Sequence, residues 1–542
     1  MKYLKMKYLK MKYLKMKYLK NFYYISLDYY YKTKYFVYFN IFLNVLFINY
    51  IYYTFFGVTN DKLIVLLNYS INLNGCIIIK LVQWLNNHIL FIKNDENKNN
   101  AIIELFSKYY ENCSIHNLKY TKTLFFQEFG YVFDDIFILD ETCYIKSGSI
   151  AQVYKAYFKN NHSINNGYSI KNPIAIKVVH PEIEYQILFP IYFMNMYKFF
   201  VTNFTFLKKY DTIINYDSFF LNLKNQINMI NEYKNNEYFY NKYINNDVIV
   251  IPKPLIKSKN FLIMEYIEGE FLEKLDVSIY KKQLLISFLS IFIKDTYMFG
   301  KYIHCDLHDA NWKVLKQKKN NDANDANDAN DANDANDDVY KIIIYDFGYI
   351  IENNLNEHIQ NLIYYLDLNN TYEIGKIVFE HIENLKIKDT NSLEFLAYKE
   401  NIIGKFVKYN ERCYPYTDSN IYACYNFCHS YDYKLKNNLL DLFVSSMLLN
   451  KYFKKYLFYN TNIIDETSKF DEKKYYKSVY DINLFYINIC EKYDIFHNVK
   501  ELLYKKYVAN SFFIEKISYN NNYFNSLIED KDLINKNNNF DI

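Results

Sequence analysis

At 542 residues, 51% of them hydrophobic, the chain has room for two or three domains, or for one large domain with extensions, and it can bury a core. A net charge of +4 and a single arginine, Arg412, leave neither a basic footprint nor guanidinium forks, which excludes nucleic acid as a partner of the body of the chain. The 62 Tyr and 44 Phe occur beside abundant Lys, Asn and Ile, the signature of AT-rich coding, so the aromatic content is no base-stacking platform.

Residues 1–20 are four copies of MKYLK. A five-residue period turns by about 140° per copy on an α-helix, so the repeat builds no stable apolar face. With ten Lys and one acid, Asp28, residues 1–34 form a low-complexity basic leader that fits organelle targeting, although Arg is missing. Residues 35–60 carry no charge and are long enough to cross a bilayer as a helix. Asn40, Asn44 and Asn49 are costly there unless they find partners. A hydrophobic targeting segment or a buried helix fits the same stretch.

Further along, "IKSGSIAQVYKA" (145–156) is a turn of small residues running into a strand. Backbone N–H groups of such a turn, here Ser147, Gly148, Ser149, Ile150 and Ala151, can cover phosphates. "PIAIKVVHP" sets Lys177 inside an apolar strand, where an ammonium needs a partner or a ligand. The candidate partner is Glu232, in the helical-looking "QINMINEYKNNEYF". "FLIMEYIEGE" then reads as a strand entering a linker, with Glu265 and Tyr266 where a hinge would hold adenine through its backbone.

"HCDLHDAN" (304–311) admits a metal site, a catalytic loop or a polar turn. His304 and His308 have the spacing of helical metal ligands, but the residue after the first is Cys305 rather than a Glu. Five residues separate Asp306 from Asn311, and the buried-strand pattern "KIIIYDFG" ends in Asp346, Phe347 and Gly348. That order is the catalytic half of a kinase-like phosphoryl-transfer site. Asp306 orients or deprotonates the attacking hydroxyl. The Asn311 amide oxygen and the Asp346 carboxylate are hard donors suited to Mg²⁺ against the phosphates of ATP. In these terms His304 and His308 brace the loop, while Asp309 has no assigned role.

Between the two halves lie five NDA triplets and an NDD, taken as a disordered insert over 320–338. It lacks the Gly and terminal Glu of a calcium loop. The remaining linker suits a hairpin. Residues 386–542 read as mixed helices without chemistry, and Cys413, Cys424, Cys428 and His429 do not have a standard zinc spacing. Buried thiols in a reducing compartment are the better account of the cysteines.

These residues resemble the UbiB, or aarF-domain, atypical kinases over roughly 75–380. "KSGSIAQVYKA" stands where the family has an alanine-rich loop, "IAIKVVHP" resembles its VAVKVxHP, and residues 304–311 resemble its HADxHPGN, with Asp309 and Ala310 replacing Pro-Gly. The family's KxGQ motif appears as Lys80, Leu81, Val82 and Gln83, and its ExD motif as Gln226, Ile227 and Asn228. Gly has become Val82 and both acids have become amides, so Lys80 loses the charged partner that the family pattern gives it.

The resemblance implies an α+β, bilobal atypical protein-kinase-like fold with an N-terminal helical extension (61–139), an N-lobe (140–270), a C-lobe (271–385) and a helical C-terminal region. It implies ATP and Mg²⁺ as cofactors and support of coenzyme Q biosynthesis. The expected partners are a membrane, a lipid or quinone precursor and a coenzyme Q biosynthetic complex. The expected location is the mitochondrial inner membrane or its matrix face, with a plastid-like organelle as the alternative. Two other functions stay open: a nucleotide-binding scaffold with weak catalysis, favoured by the altered KxGQ and ExD positions, and a small-molecule phosphotransferase, which uses a similar H-x-D-x-x-x-x-N loop.

Overall fold

The computed structural model describes residues 2–57, 60–83, 113, 115–140, 146–159, 168–203, 216–318, 338–387, 389–410, 417–431, 433–436, 439, 442–443, 445, 449, 452–457, 472–510 and 513, with backbone alone over 2–24. The chain divides into two compact units, Met1–Lys159 with Ile176–Thr212, and Asn160–Ala175 with Ile213–Ile542.

In the first unit one helix, Lys2–Phe56, runs through the MKYLK copies and the uncharged stretch without a break at 34/35. No Gly or Pro interrupts it before Gly57. Asn40, Asn44 and Asn49 donate their side-chain amides to carbonyls four residues back, those of Phe36, Asn40 and Val45. Asn49 also reaches the Leu63 carbonyl at 3.2 Å. The amide groups that looked costly in an apolar helix are thus satisfied within the helices. Phe39 and Phe42 pack on Leu67, Ile71, Ile78, Ile79 and Val82, which belong to the helices Asp61–Asn74 and 76–83. Phe36, Phe47, Ile48, Phe55 and Phe56 remain exposed. Ile25–Phe56 is the one helical stretch among the described residues long and apolar enough to cross a membrane.

Gly75 ends the helix Asp61–Asn74 at φ 74°, and a Cβ there would lie 2.8 Å from Gln186 Oε1, so conformation and space both demand glycine. Strand β1 (Phe137–Leu139), β2 (Lys146–Ser147), β3 (Ala151–Phe158) and β4 (Ile174–Val179) follow, with β1 and β4 flanking β3 and β2 pairing with β3. After β4 the backbone turns at Glu182, φ 62°. Lys34 Nζ and Tyr35 Oη hold its carboxylate at 2.6 and 2.8 Å, fastening the end of β4 to the N-terminal helix.

In the second unit β5 (Ile249–Val250) runs parallel to β10 (Asp338–Ile344), which pairs antiparallel with β9 (Trp312–Lys318) along its whole length. β6 (Pro254–Lys257) and β7 (Phe261–Glu265) form a hairpin, and β8 (Tyr302–His304) pairs with β11 (Ile350–Glu352). The NDA insert falls between β9 and β10, as a hairpin linker should. Residues 320–337 of it lie outside the described residues, and Asp338, counted in the insert on sequence, is instead the first residue of β10, held by Lys316 at 2.9 Å.

The helix Ile279–Met298 is buried at every position from Leu284 to Phe292, the mark of a core helix. Around it gather Phe239, Trp312, Ile342, Ile344 and Phe347. Tyr486, Cys490, Leu503 and Tyr507 of the C-terminal helices Glu472–Lys492, His497–Leu503 and the segment after them join the same cluster. Residues beyond 386 therefore share a core with the region before them. Cys424 and Cys428 are buried, and burial pushes the Cys428 thiol up to about 12. Cys413 is outside the described residues. The fold is α+β and kinase-like, with the expected helix at its N-terminus.

Candidate active site

Three short segments of the second unit converge. The first is the loop 305–311 between β8 and β9. His304, buried at its entry, accepts from the Asp306 N–H through Nδ1 at 3.2 Å and meets the Tyr345 carbonyl through Nε2 at 3.4 Å. Burial lowers its imidazole below the usual value, against the opposing pull of the Asp306 and Asp346 carboxylates. His308 accepts from the Ala310 N–H at 3.3 Å. Both histidines hold loop backbone. The Asn311 amide nitrogen donates to the Asp306 carbonyl at 2.8 Å and lies 3.1 Å from His308 Nε2. This commits the nitrogen to the loop and leaves the oxygen as the atom that can meet a cation. The Asn311 carbonyl in turn accepts from the Tyr345 N–H at 2.8 Å, tying the loop to the end of β10.

The second segment is Asp346–Gly348. Asp346 has φ 52°, a left-handed conformation that carboxamide and carboxylate residues tolerate better than most. Its Oδ1 accepts from the Gly348 N–H at 3.1 Å. The third is the helix Met229–Tyr243, which carries Glu232, buried to 2% exposure. A Cβ on Gly348 would sit 3.0 Å from Asp346 Oδ1, 3.7 Å from Glu232 Oε2 and 3.7 Å from Gln226 Cγ. Gln226, Glu232 and Asp346 therefore surround one glycine, with Asp346 crowding the Cβ position and the other two at contact distance from it. Phe347 points the other way, its ring stacked on Phe239 at 5.1 Å, and its carbonyl accepts from Asn235 Nδ2 at 2.9 Å.

Asn228, at the second acid position of ExD, caps this helix, its side chain accepting from the Ile230 N–H at 3.1 Å. At the strand end, the Glu265 and Tyr266 N–H groups are engaged by the Lys253 and Pro173 carbonyls at 2.8 and 3.1 Å. An adenine held there must displace one of these bonds or use neighbouring groups.

The remaining predicted residues belong to the first unit. Ser147–Ala151 is a tight turn between β2 and β3, closed by Gly148 N–H to Ala151 O at 2.9 Å. Lys177 lies in β4, every residue of which is buried. Lys80 and Gln83 are on the helix 76–83, with Gln83 buried. Val82, where the family pattern has Gly, is 1% exposed within the apolar cluster of the N-terminal helices, so its bulk serves packing there.

Sequence reasoning missed two supports. Tyr345 Oη donates to the Ile267 carbonyl at 2.8 Å, joining the strand before Asp346 to the segment that follows β7. Tyr452, from the C-terminal region in which the sequence shows no chemistry, stacks edge-on against Trp312 at 5.2 Å. Burial first, then the hydrogen-bonded carboxylates of Asp309 and Glu273, raise its hydroxyl far above the usual value, so it is a donor to Asp309. Asp309 thereby fastens the loop from outside, where the family pattern uses Pro-Gly. Among 62 tyrosines no signal marked this one. Tyr452→Phe should lower stability by about 1.5–3 kcal/mol, the range for a hydrogen bond to a charged group. It should also speed amide exchange in 306–311; unchanged exchange there would remove Asp309–Tyr452 as the brace.

A model of the ABC1 atypical kinase-like domain matches residues 109–401, more than half of the chain, and begins after the KxGQ-like positions. The chain is 28% identical over 222 residues to the probable serine/threonine-protein kinase abkB of Dictyostelium discoideum, covering 40% of this chain and 32% of that protein. It is 26% identical over 219 residues to the ABC1 family protein MCP2 of Saccharomyces cerevisiae, covering 39% of this chain and 37% of that protein. The chain thus spans about a third of the length of the curated relatives it matches. Among solved structures, the Rv3197–erythromycin complex of Mycobacterium tuberculosis superposes with TM-score 0.35 at 14% identity, covering 55% of this chain and 67% of that one. The Rio2 kinase–ADP/Mg²⁺–phosphoaspartate complex of Chaetomium thermophilum gives TM-score 0.25 at 9% identity, covering 69% and 96%.

Proposed function

From a chain that belongs to the ABC1 atypical kinase-like family, we propose an ATP-binding, Mg²⁺-dependent atypical kinase or ATPase. The observation that carries this reading is the convergence of Asp306, Asn311, Glu232 and Asp346 within one unit, around Gly348 and a loop braced from within. The donor set fits Mg²⁺: a carboxylate, an amide oxygen whose nitrogen is already committed, and no sulfur or exposed imidazole. Asp346 and Asn311 would hold the ion, which supplies charge to bind and polarise the phosphates. Asp306 takes the proton of the acceptor hydroxyl or orients it. Lys177 and the loop Ser147–Ala151 are the phosphate-binding elements, and Glu265 and Tyr266 belong to the adenine-binding strand end.

The finer part of the reading is support of coenzyme Q biosynthesis at a membrane, with the mitochondrial inner membrane as the location and a lipid, a quinone precursor or a lipid-binding complex as the partner. It is supported by the resemblance of residues 145–156, 174–181 and 304–311 to the UbiB pattern, and by the exposed apolar helix Ile25–Phe56. The competing reading, a nucleotide-binding scaffold, is favoured by the amides Gln226 and Asn228 and by the engaged N–H groups of Glu265 and Tyr266.

The deciding experiment is ATP turnover by the full chain, with and without membranes carrying quinone precursors, beside Asp346→Asn. Turnover above the variant, stimulated by those membranes, supports the kinase or ATPase. Binding of Mg·ATP with no turnover above the variant under any condition sinks it and leaves the scaffold.

A further inference from the structure

A chain of hydrogen bonds in the first unit ends on the phosphate loop. Gln152 Nε2 donates to Tyr154 Oη at 2.7 Å, and Tyr154 Oη lies 2.9 Å from Thr121 Oγ1. Thr121 Oγ1 lies 2.9 Å from His116 Nε2. His116 Nδ1 faces His180 Nδ1 at 2.9 Å, and His180 Nε2 faces the Gly148 carbonyl at 3.0 Å. Thr121, Gln152, Tyr154 and His180 are all buried.

Only one arrangement of protons satisfies every link with neutral rings. A carbonyl accepts, so His180 carries its hydrogen on Nε2. Its Nδ1 must then accept, and His116 donates from Nδ1. His116 Nε2 accepts from Thr121, Thr121 from Tyr154, and Tyr154 from the Gln152 amide. Gln152 Oε1 is held by the His116 backbone N–H at 2.8 Å, so the amide cannot turn round without losing that bond. A proton added to the histidine pair reverses every link back to Tyr154, whose hydrogen then confronts the Gln152 NH₂. The neutral chain therefore resists protonation while the fold is intact.

The chain matters because of what it holds. Gly148 uses its N–H to close the turn on Ala151, the His180 N–H donates to the Ile150 carbonyl at 3.0 Å, and Ser147 Oγ lies 3.3 Å from His180 Nε2. With its carbonyl drawn to His180, the turn is pinned at both ends of Gly148.

We propose that His116 and His180 are positioning residues for the loop Ser147–Ala151, and that proton uptake by the pair releases the loop and weakens nucleotide binding. This rests on the phosphate-binding role given to that loop above. Burial foremost, then His180, lowers His116 to about 4, and burial lowers His180. The other titratable groups facing the pair are Tyr120, whose ring meets His116 edge-on at 5.1 Å, and Tyr154. Both phenols are raised, chiefly by burial, so they stay neutral. Glu128, Glu182 and Glu184 act at Tyr120. The sign follows: folded-state values lie below the ordinary 6.5, so the arrangement is complete above about pH 6.5 and is lost as pH falls towards about 4.

The test uses the full chain, Mg²⁺ with a fluorescent ATP analogue, and hydrogen exchange of the peptide spanning 147–150, corrected for intrinsic rates. Wild type should weaken about twofold between about pH 7.5 and about pH 4.0, where the His116 value of about 4 makes half of the pair take up a proton, and loop exchange should accelerate in step. His180→Gln places an amide donor toward Gly148 that cannot titrate. It should bind several-fold more weakly at about pH 7.5 but show a flat profile and pH-independent loop exchange, and His116→Asn should flatten the profile as well. Acid weakening in either variant equal to wild type, or wild-type exchange insensitive to pH, overturns the proposal. If wild type binds no nucleotide at any pH, the phosphate-binding role fails. The exchange data then still decide the histidine brace: acid acceleration in wild type alone supports it, and its absence overturns it.

Discussion

Asp346→Asn is expected to lower Mg²⁺-dependent ATP turnover by at least about a hundredfold while leaving the fold intact. Two features set this apart from an ordinary carboxylate replacement. The residue sits at φ 52°, where Asn is among the few residues at ease, so no new backbone strain arises. The new amide oxygen can also keep the 3.1 Å bond from the Gly348 N–H. What is lost is the negative charge, and loss of one preorganised electrostatic contact of this kind typically costs about 10²–10³ in rate. Steady-state turnover beside a denaturant melt checks both halves. Turnover within about threefold of wild type would remove Asp346 from the metal site. A large drop in melting midpoint would mean that the charge serves stability instead.

Phe239→Ala is expected to destabilise the second unit by about 3–5 kcal/mol, the usual cost of deleting a fully buried aromatic side chain. Phe239 is 0% exposed, and its ring lies 5.1 Å from Phe347 and 6.3 Å from both Tyr243 and Phe292. It follows Glu232 by two helical turns and so shares its face of the helix Met229–Tyr243. The cavity would lie between the helix that carries Glu232 and the segment that carries Asp346, so turnover should fall with stability. Phe239→Leu refills most of the volume and should cost well under half as much. Urea unfolding of the two variants decides it: equal midpoints for Ala and Leu would deny that packing volume is what Phe239 contributes.

The legible part of this site was its order along the chain. Lys177 in an apolar strand, Asp306 five residues before Asn311, and Asp346 at the end of KIIIYDFG carry their meaning in residue type and spacing. The hairpin β9–β10 was legible too, because the NDA run has no apolar period and drops out of the pattern. Supports that act across long sequence distance were illegible. Tyr452 reaches Asp309 from 143 positions away (452 minus 309), and His116 meets His180 across a separation of 64. No local period announces such a pair. On sequence alone Val82 and Asn228 are departures from a motif. Their packing and capping roles emerged only with the neighbours in view.

Sequence alone determined the α+β kinase-like class and the family at the level of the ABC1 domain, and it supplied the residue types of the candidate site, because spacing within a strand, a loop or a helix start depends on local geometry. The closure of the site was decided by tertiary structure. Gly348 lies where Asp346 presses closest, with Glu232 and Gln226 in contact range around it. The C-terminal helices belong to the core because their tyrosines bury against the helix Ile279–Met298. Gly148 has its carbonyl met by His180 because a neutral chain of five side chains leaves the His180 hydrogen on Nε2, the nitrogen that faces that carbonyl. Each of these depends on groups far apart in sequence sharing one volume, and that is settled by packing and hydrogen-bond satisfaction rather than by any pattern along the chain.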